Sequence, residues 1–220
     1  PLDEEVEFLL NHAARYLVKD PTPGDVLSVF AGLRPLVGTA SGEGGTAEIS
    51  REHTLLISPS GLVTITGGKW TTYRKMAEET IDKAAVIAGV EERPCVSRSL
   101  QLHGYHPASE ALGQFREYGS NAEALVDVLR EDIRFAKDLH ANLPYVAGEV
   151  LWAVRHEMAR TVEDVLSRRT RALVLDARAS MEAAPLVASL LAEELGHDDQ
   201  WVHEQIAAYN ELAKGYVLGR

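Results

Sequence analysis

Residues 60–77 read SGLVTITGGKWTTYRKMA, and the rest of the chain is organised around this stretch. Residues 62–66 are apolar and largely β-branched, which favours a short strand buried in a sheet. Gly67 and Gly68 interrupt that strand, and the threonines that follow can cap a helix over about 71–88. The stretch therefore predicts a strand, a glycine turn and a helix in direct succession.

The turn of this unit is the first candidate for a functional site. A helix that begins at such a turn leaves backbone N–H groups unpaired and presents its positive dipole end outward. Glycines let a flat or anionic ligand approach the backbone, and Lys69 adds a full positive charge. The spacing matches neither a P-loop nor a dinucleotide fingerprint. On spacing alone, an ordinary strand-to-helix turn with a surface lysine fits equally well.

The segments around this unit have recognisable periodicities. A strand over 54–59 and the strand over 62–66 are predicted to pair as a hairpin, and 26–30 is predicted as a further strand. An amphipathic helix is predicted over 2–18. The helix after the glycine turn is predicted to bury one apolar stripe, made of Tyr73, Met76, Ala77, Ile81, Ala84, Ala85 and Ala88.

Composition excludes several classes of protein. The chain has 220 residues and a formal net charge of −11, which argues against a general nucleic-acid surface. No apolar run approaches the ~20 residues of a membrane-spanning helix, and the acidic start does not resemble a signal peptide. The single cysteine, Cys95, rules out an intrachain disulfide framework and fits a reducing cytoplasm.

The second half of the chain is predicted to be helical. Proline and glycine mark 90–107 as a linker, with a short strand near 99–102, and no metal site is predicted at its two histidines because no further ligand completes a set. Helices are predicted over 108–118, 121–139, 146–158, 161–169, 180–195 and 198–216. A polar seam on one helix face is predicted from Glu157, Thr161, Asp164 and Arg168, with an ordinary solvated ion-pair face as the alternative.

Three motifs in order carry a family resemblance: FAGLRPLV at 30–37, ISREH at 49–53 and GGKWTTYRKMAE at 67–78. Together they resemble FAD-dependent glycerol-3-phosphate dehydrogenase, across the whole chain but only over the C-terminal part of that family. The resemblance implies an α+β fold, in which 1–93 is the C-terminal part of an FAD- and substrate-binding domain and 94–220 is an all-helical domain.

The resemblance also sets an expectation about the cofactor. A member of the family would first carry a glycine-rich strand-turn-helix unit that binds the ADP half of FAD. We find no such unit in this sequence, since the glycine-rich run at 42–45 follows no buried strand. We therefore expect this chain to be a piece that lacks the nucleotide-binding half and does not retain FAD by itself.

Substrate contacts are carried over from the resemblance onto three cations. Arg34, Arg51 and Lys69 are expected to hold the phosphate of glycerol 3-phosphate, because guanidinium and ammonium groups pair well with phosphate oxygens. No catalytic base is assigned. His53 is the only candidate for proton transfer, although a half-buried hydrogen-bonding role is more common for such a histidine.

Flavin contacts are expected at the glycine turn itself. Reduced flavin carries negative charge at the pyrimidine edge of its ring, and a helix N-terminus is a suitable counter-dipole. The backbone of Gly67, Gly68, Lys69, Trp70 and Thr71 is therefore predicted to face that edge.

The function implied by the resemblance is oxidation of glycerol 3-phosphate to dihydroxyacetone phosphate, with electrons passed to quinone. Two alternatives remain open: an oxidase that uses oxygen, and a non-catalytic helical interaction or structural module. Convergence of the three cations on one cleft would favour the enzyme. The family further implies a cytoplasmic protein with peripheral contact at the inner face of the cytoplasmic membrane, and it allows a homodimer.

Overall fold

The computed structural model describes residues 1–32 and 52–219. These form two units: Pro1–Ala31 together with His103–Arg220, and Gly32–Leu102. This grouping differs from the predicted division at residue 93, because the first 31 residues pack with the helical part of the chain. The assignment of 1–93 to a flavin-binding domain stays a prediction.

The smaller unit is built on a β-hairpin followed by a helix. Strands β1 (His53–Ile57) and β2 (Val63–Gly67) pair antiparallel, and His53 stands opposite Gly67. A short 3₁₀ turn (Trp70–Thr72) leads into helix α2 (Tyr73–Ala88), which ends at the left-handed Gly89. The predicted hairpin and the helix that follows the glycines are confirmed.

The apolar stripe predicted for α2 is wrong, because none of the helix's residues is buried in the structure. Met76 is half-buried, whereas Ile81 is 67% exposed and Tyr73 is 48% exposed. Helix α2 packs against β2. The sheet beside this helix has two strands in the described residues, and one hairpin covers only a small part of a helix face.

The N-terminal residues form helix α1 (Asp3–Ala14), shorter than the predicted 2–18, and a 3₁₀ turn (Pro23–Asp25). The strand predicted over 26–30 is wrong, because its hydrogen bonds go to the helical part of the same unit. The Val29 N–H donates to the Tyr216 carbonyl at 2.8 Å, and the Ser28 hydroxyl donates to the Leu173 carbonyl at 2.8 Å. The short strand predicted near 99–102 is also absent from the described structure.

The helical part begins with a kinked 3₁₀ run (Ser109–Asn121) and continues through a series of short and long helices. These are α3 (Ala122–Glu131), a 3₁₀ turn (Ile133–Ala136), α4 (Gly148–His156), a π-helical turn (Asp164–Arg169), α5 (Ala172–Leu175), α6 (Ala177–Leu195) and α7 (Asp199–Lys214). The helical character predicted after residue 108 is thereby confirmed, with different boundaries.

Helix α6 forms the centre of the core. It packs against α4, α5 and α7, and its fully buried residues include Val187 and Leu191. Asp176 caps its first turn by accepting a hydrogen bond from the Ala179 N–H at 3.0 Å, and Gly196 ends it in a left-handed conformation. Burial of this helix on several sides explains why its sequence is almost continuously apolar or small.

The predicted polar seam is interrupted. Met158 has a φ of 59°, so the chain leaves helical geometry directly after Glu157. Asp164 and Arg168 do form the expected ion pair at 3.0 Å, whereas the Glu157 carboxylate accepts a hydrogen bond from the Trp152 indole N–H at 3.1 Å. The four polar residues therefore do not share one helix face.

Candidate functional site

The glycine turn at the end of β2 is tightly constrained. Gly67 and Gly68 have φ angles of 75° and 76°, a region that residues with a side chain adopt at a cost. A Cβ atom on Gly68 would lie 2.6 Å from the Met76 Sδ atom and 3.1 Å from the His53 Cβ atom. The second glycine is thus favoured by its backbone geometry, and a side chain there would force the Met76 side chain to move. The turn is left with bare backbone.

The residues after the glycines present unpaired donors. The Thr72 N–H and the Thr72 hydroxyl both donate to the Lys69 carbonyl at 2.9 Å, which closes the short turn. The backbone N–H groups of Trp70 and Thr71 have no acceptor among residues 1–32 and 52–219. These two amides fit an anionic or electron-rich group placed against the start of the helix.

Side chains at the turn are exposed. Lys69 is exposed and forms no ion pair with any residue that the structure describes. Trp70 is 84% exposed and stacks on Tyr73 with ring centroids 5.1 Å apart. An ammonium group and a large aromatic surface therefore lie beside the two free amides.

A charged cluster lies on the neighbouring face of α2. The His53 Nε2 and Glu79 Oε2 atoms are 2.6 Å apart, and the Lys75 Nζ atom lies 3.4 Å from both Glu78 and Glu79. The hydrogen bond with His53 is the largest influence on the Glu79 carboxyl and, with the contact to Lys75, lowers its pKa. Hydrogen bonds to both carboxylates in turn raise the pKa of Lys75.

The predicted site residues divide into two groups. The first group lies at one turn, as its sequence positions require, and consists of Gly67, Gly68, Lys69, Trp70 and Thr71. Arg34 and Arg51 lie outside the described residues, so the predicted convergence of three cations stays a prediction.

Sequence reasoning missed Glu79 and Met76, the residues that hold His53 and hem in Gly68. The helical periodicity indicated that Met76 and Glu79 lie one turn apart. Nothing in the sequence indicated that Glu79 contacts His53, 26 positions upstream, or that Met76 lies against Gly68, because only the packing of the hairpin on α2 brings these residues together.

Comparison with solved structures gives the fold class. The glycerol-3-phosphate dehydrogenase from Bacillus halodurans, solved in complex with FAD, superposes with a TM-score of 0.73 and 26% sequence identity, over 99% of this chain and 46% of that one. The α+β fold predicted from the sequence, a C-terminal piece of such a protein, is thereby confirmed.

Sequence comparison gives the family. Residues 62–202 match the family described as the C-terminal domain of alpha-glycerophosphate oxidase, and the chain belongs to that family. It is 34% identical to a probable mitochondrial glycerol-3-phosphate dehydrogenase of Caenorhabditis elegans, over 99% of this chain and 32% of that protein. It is 36% identical to the human mitochondrial glycerol-3-phosphate dehydrogenase, over 94% of this chain and 31% of that protein.

The chain thus spans about a third of the length of the curated relatives that it matches. The resemblance drawn from the three motifs is confirmed. No helix in the described ranges combines the length and the apolar character needed to cross a membrane.

Proposed function

We propose that this chain is the C-terminal part of an FAD-dependent glycerol-3-phosphate dehydrogenase, which oxidises glycerol 3-phosphate to dihydroxyacetone phosphate. In this proposal residues 1–93 contribute flavin-ring and substrate-phosphate contacts, and residues 94–220 supply the helical domain. Family membership and the printed names of the relatives support this assignment. The observation that carries it is the glycine turn, where the left-handed backbone of Gly68 disfavours a side chain and two amides lack protein acceptors among the described residues.

The donors at this turn fit a flavin ring. FAD, when bound, accepts the hydride that leaves C2 of the substrate. The N–H groups of Trp70 and Thr71 would donate to the electron-rich edge of the ring, and the bare backbone at Gly67 and Gly68 would allow close contact. Fixed donors of this kind stabilise developing negative charge without reorganisation during the reaction.

Substrate binding is assigned to three cations. Lys69 beside the turn would pair with the phosphate together with Arg34 and Arg51, each charged hydrogen bond contributing about 1.5–3 kcal/mol. For proton transfer, His53 has its Nε2 atom engaged by Glu79, which leaves Nδ1 as the atom that could accept a proton. We assign no other described residue to that step.

The phosphate assignment is tested by steady-state kinetics on the complete protein. Lys69→Ala and Arg34→Ala should each lower kcat/KM for glycerol 3-phosphate by at least about tenfold, as expected for loss of a charged hydrogen bond. Lys83→Ala is a matched control, because Lys83 is an exposed lysine on α2 without an ion pair in the described residues. A loss below tenfold in both test variants would contradict the pocket and favour the non-catalytic module.

The electron acceptor forms a separate part of the proposal. We propose quinone, because the curated relatives are named dehydrogenases, whereas the family description names an oxidase. Anaerobic reduction of a short-chain quinone and aerobic formation of hydrogen peroxide should be measured side by side with the complete protein. Peroxide formation that matches the rate of substrate oxidation would assign oxygen instead.

The cofactor and location complete the proposal. We expect the 220-residue chain to purify colourless, and a yellow preparation with stoichiometric FAD would contradict the assignment of FAD binding to the longer protein. We also propose a cytoplasmic location with peripheral contact at the inner face of the membrane, and a homodimer. Cell fractionation and light scattering of the complete protein test these two points.

A further inference from the structure

A cavity of about 980 Å³ lies in the helical unit, formed entirely by residues 113–175. Its volume falls at the upper end of the roughly 300–1,000 Å³ typical of small-molecule sites. Pro144, Val174 and Leu175 contribute apolar surface, and charged side chains of both signs line the rest. The flavin and substrate assignment does not involve this cavity.

The buried carboxylate of the cavity is already satisfied. Glu149 is only 5% exposed, and it accepts hydrogen bonds from the Tyr118 hydroxyl at 2.8 Å and the Val146 N–H at 2.7 Å. Burial raises the pKa of Glu149 and also that of Tyr118. This pair forms a polar wall of the cavity without offering a free negative charge to a ligand.

The other acidic groups also have partners. Glu117 lies 3.1 Å from the Arg116 guanidinium, and Glu157 accepts from the Trp152 indole N–H at 3.1 Å. Arg169 is held in place because its Nε atom donates to the Glu157 carbonyl at 2.9 Å. Each charged side chain named so far at the cavity therefore has a direct protein partner.

Arg171 differs from them. It is exposed and lines the cavity, and its guanidinium has no hydrogen bond or ion pair with any residue in the described ranges, although its backbone carbonyl accepts from the Val174 N–H at 3.1 Å. Its backbone has φ 60° and ψ 21°, the left-handed region that glycine or asparagine usually occupies. Residues held in sparsely populated backbone regions are concentrated at active sites and ligand clamps.

We propose that this cavity binds a small amphipathic organic anion, whose carboxylate or phosphate pairs with the Arg171 guanidinium while its apolar part contacts Pro144, Val174 and Leu175. A guanidinium can bind either a carboxylate or a phosphate in a bidentate manner. The Arg171 guanidinium therefore predicts a ligand that carries one of these two groups. A guanidinium without a partner in the described ranges, next to apolar surface, favours an organic anion over a bare inorganic one.

Isothermal titration calorimetry of the 220-residue chain tests the site with three probes: hexanoate, phenyl phosphate and inorganic phosphate. We expect at least one organic anion to bind more tightly than inorganic phosphate, and the comparison of the two organic anions distinguishes carboxylate from phosphate ligands. Arg171→Ala should weaken that binding about tenfold or more, as loss of a charged hydrogen bond predicts.

Two further variants separate binding from folding. Arg178→Ala removes an exposed arginine on α6 that has no partner within residues 1–32 and 52–219 and does not line the cavity, so the affinity of this variant should stay within about twofold of the wild type. Arg171→Gly relieves the left-handed strain, so it should not lower Tm but should lose binding as Arg171→Ala does. Absence of organic-anion binding at about 10 mM, or undiminished binding by Arg171→Ala, would overturn the proposal.

Discussion

The Nε2 atom of His53 lies 2.6 Å from the Oε2 atom of Glu79, and this contact joins β1 to α2 across 26 positions of sequence. The contact lies next to the glycine turn, because His53 pairs with Gly67 in the hairpin and the His53 Cβ atom lies close to Gly68. The position of α2 relative to the turn therefore depends on a titratable pair.

The first prediction concerns the pH dependence of this contact. The pKa of Glu79 is lowered in the folded protein, chiefly by the hydrogen bond with His53. A lowered carboxyl pKa contributes stability that is present above the unfolded value and is lost as pH falls through the folded one. Glu79→Gln should therefore speed amide exchange in both β1 and α2 at neutral pH, and the difference from wild type should vanish in acid below the ordinary glutamate range.

Glu78→Gln is the matched control for this measurement. Glu78 is the adjacent carboxylate and also contacts Lys75, but in the described part of the chain no hydrogen bond or ion pair joins it to β1. It should leave the exchange of the β1 amides unchanged. Equal effects of the two substitutions on β1 would show that His53 does not couple the strand to the helix.

The second prediction concerns Gly68. An alanine there would combine a φ of 76° with a Cβ atom 2.6 Å from the Met76 Sδ atom, so Gly68→Ala should destabilise the hairpin and α2 by more than the ~1–2 kcal/mol of the backbone term alone. Gly61→Ala is the control, since Gly61 has a similar φ of 84° but only an ordinary 3.7 Å contact with Ile87. Native-state hydrogen exchange of α2 provides the comparison, and equal effects would mean that the close contact with Met76 does not matter.

The third prediction concerns the buried Glu149. Burial raises its pKa in the folded protein, more than its hydrogen bonds from Val146 and Tyr118 lower it. Between the unfolded and folded pKa values the native state binds more protons, so stability falls as pH rises through that range. Glutamine retains an acceptor and does not titrate, so Glu149→Gln should remove this fall.

Urea unfolding followed by circular dichroism across pH 4 to 8 would measure this pH dependence of stability. The wild type should lose stability relative to Glu149→Gln as pH rises from about 4.5. A constant difference between the two proteins across that range would contradict the raised pKa.

The fourth prediction compares two leucines of α6. Leu191 is fully buried, whereas Leu186 is 40% exposed. Leu191→Ala should lower the free energy of unfolding by about 2–5 kcal/mol through lost burial and a residual cavity. Leu186→Ala should cost less than about 1 kcal/mol, because most surface substitutions have small effects. Urea denaturation of both variants tests the position of the core, and similar losses would place it elsewhere.

Local signals predicted the parts of the fold that depend on neighbouring residues. The hairpin and the helix after Gly67 and Gly68 follow from β-branched runs, turn residues and helical periodicity within about 30 positions. The start of α6 was predicted at residue 180 from the apolar pattern, whereas the helix begins at Ala177. Asp176, which caps it, is a local signal that would have given the correct start.

The predictions were wrong where the local structure depends on contacts with distant residues. Residues 26–30 have the composition of a strand, yet their backbone bonds to Tyr216 and Ala177 replace a strand partner. The stripe on α2 has the correct period, but periodicity indicates only which residues could be buried together and not whether a surface exists to bury them.

The sequence by itself determined the family, the order of strand, glycine turn and helix, and the identity of the cations expected at the site. These are properties of contiguous motifs, in which spacing and residue type define the local backbone. Tertiary structure alone decided that Glu79 holds His53, that Met76 lies against Gly68, and that the Arg171 guanidinium stands unpaired among the described residues at a cavity. Each of these depends on how separate elements pack together, which no local pattern encodes.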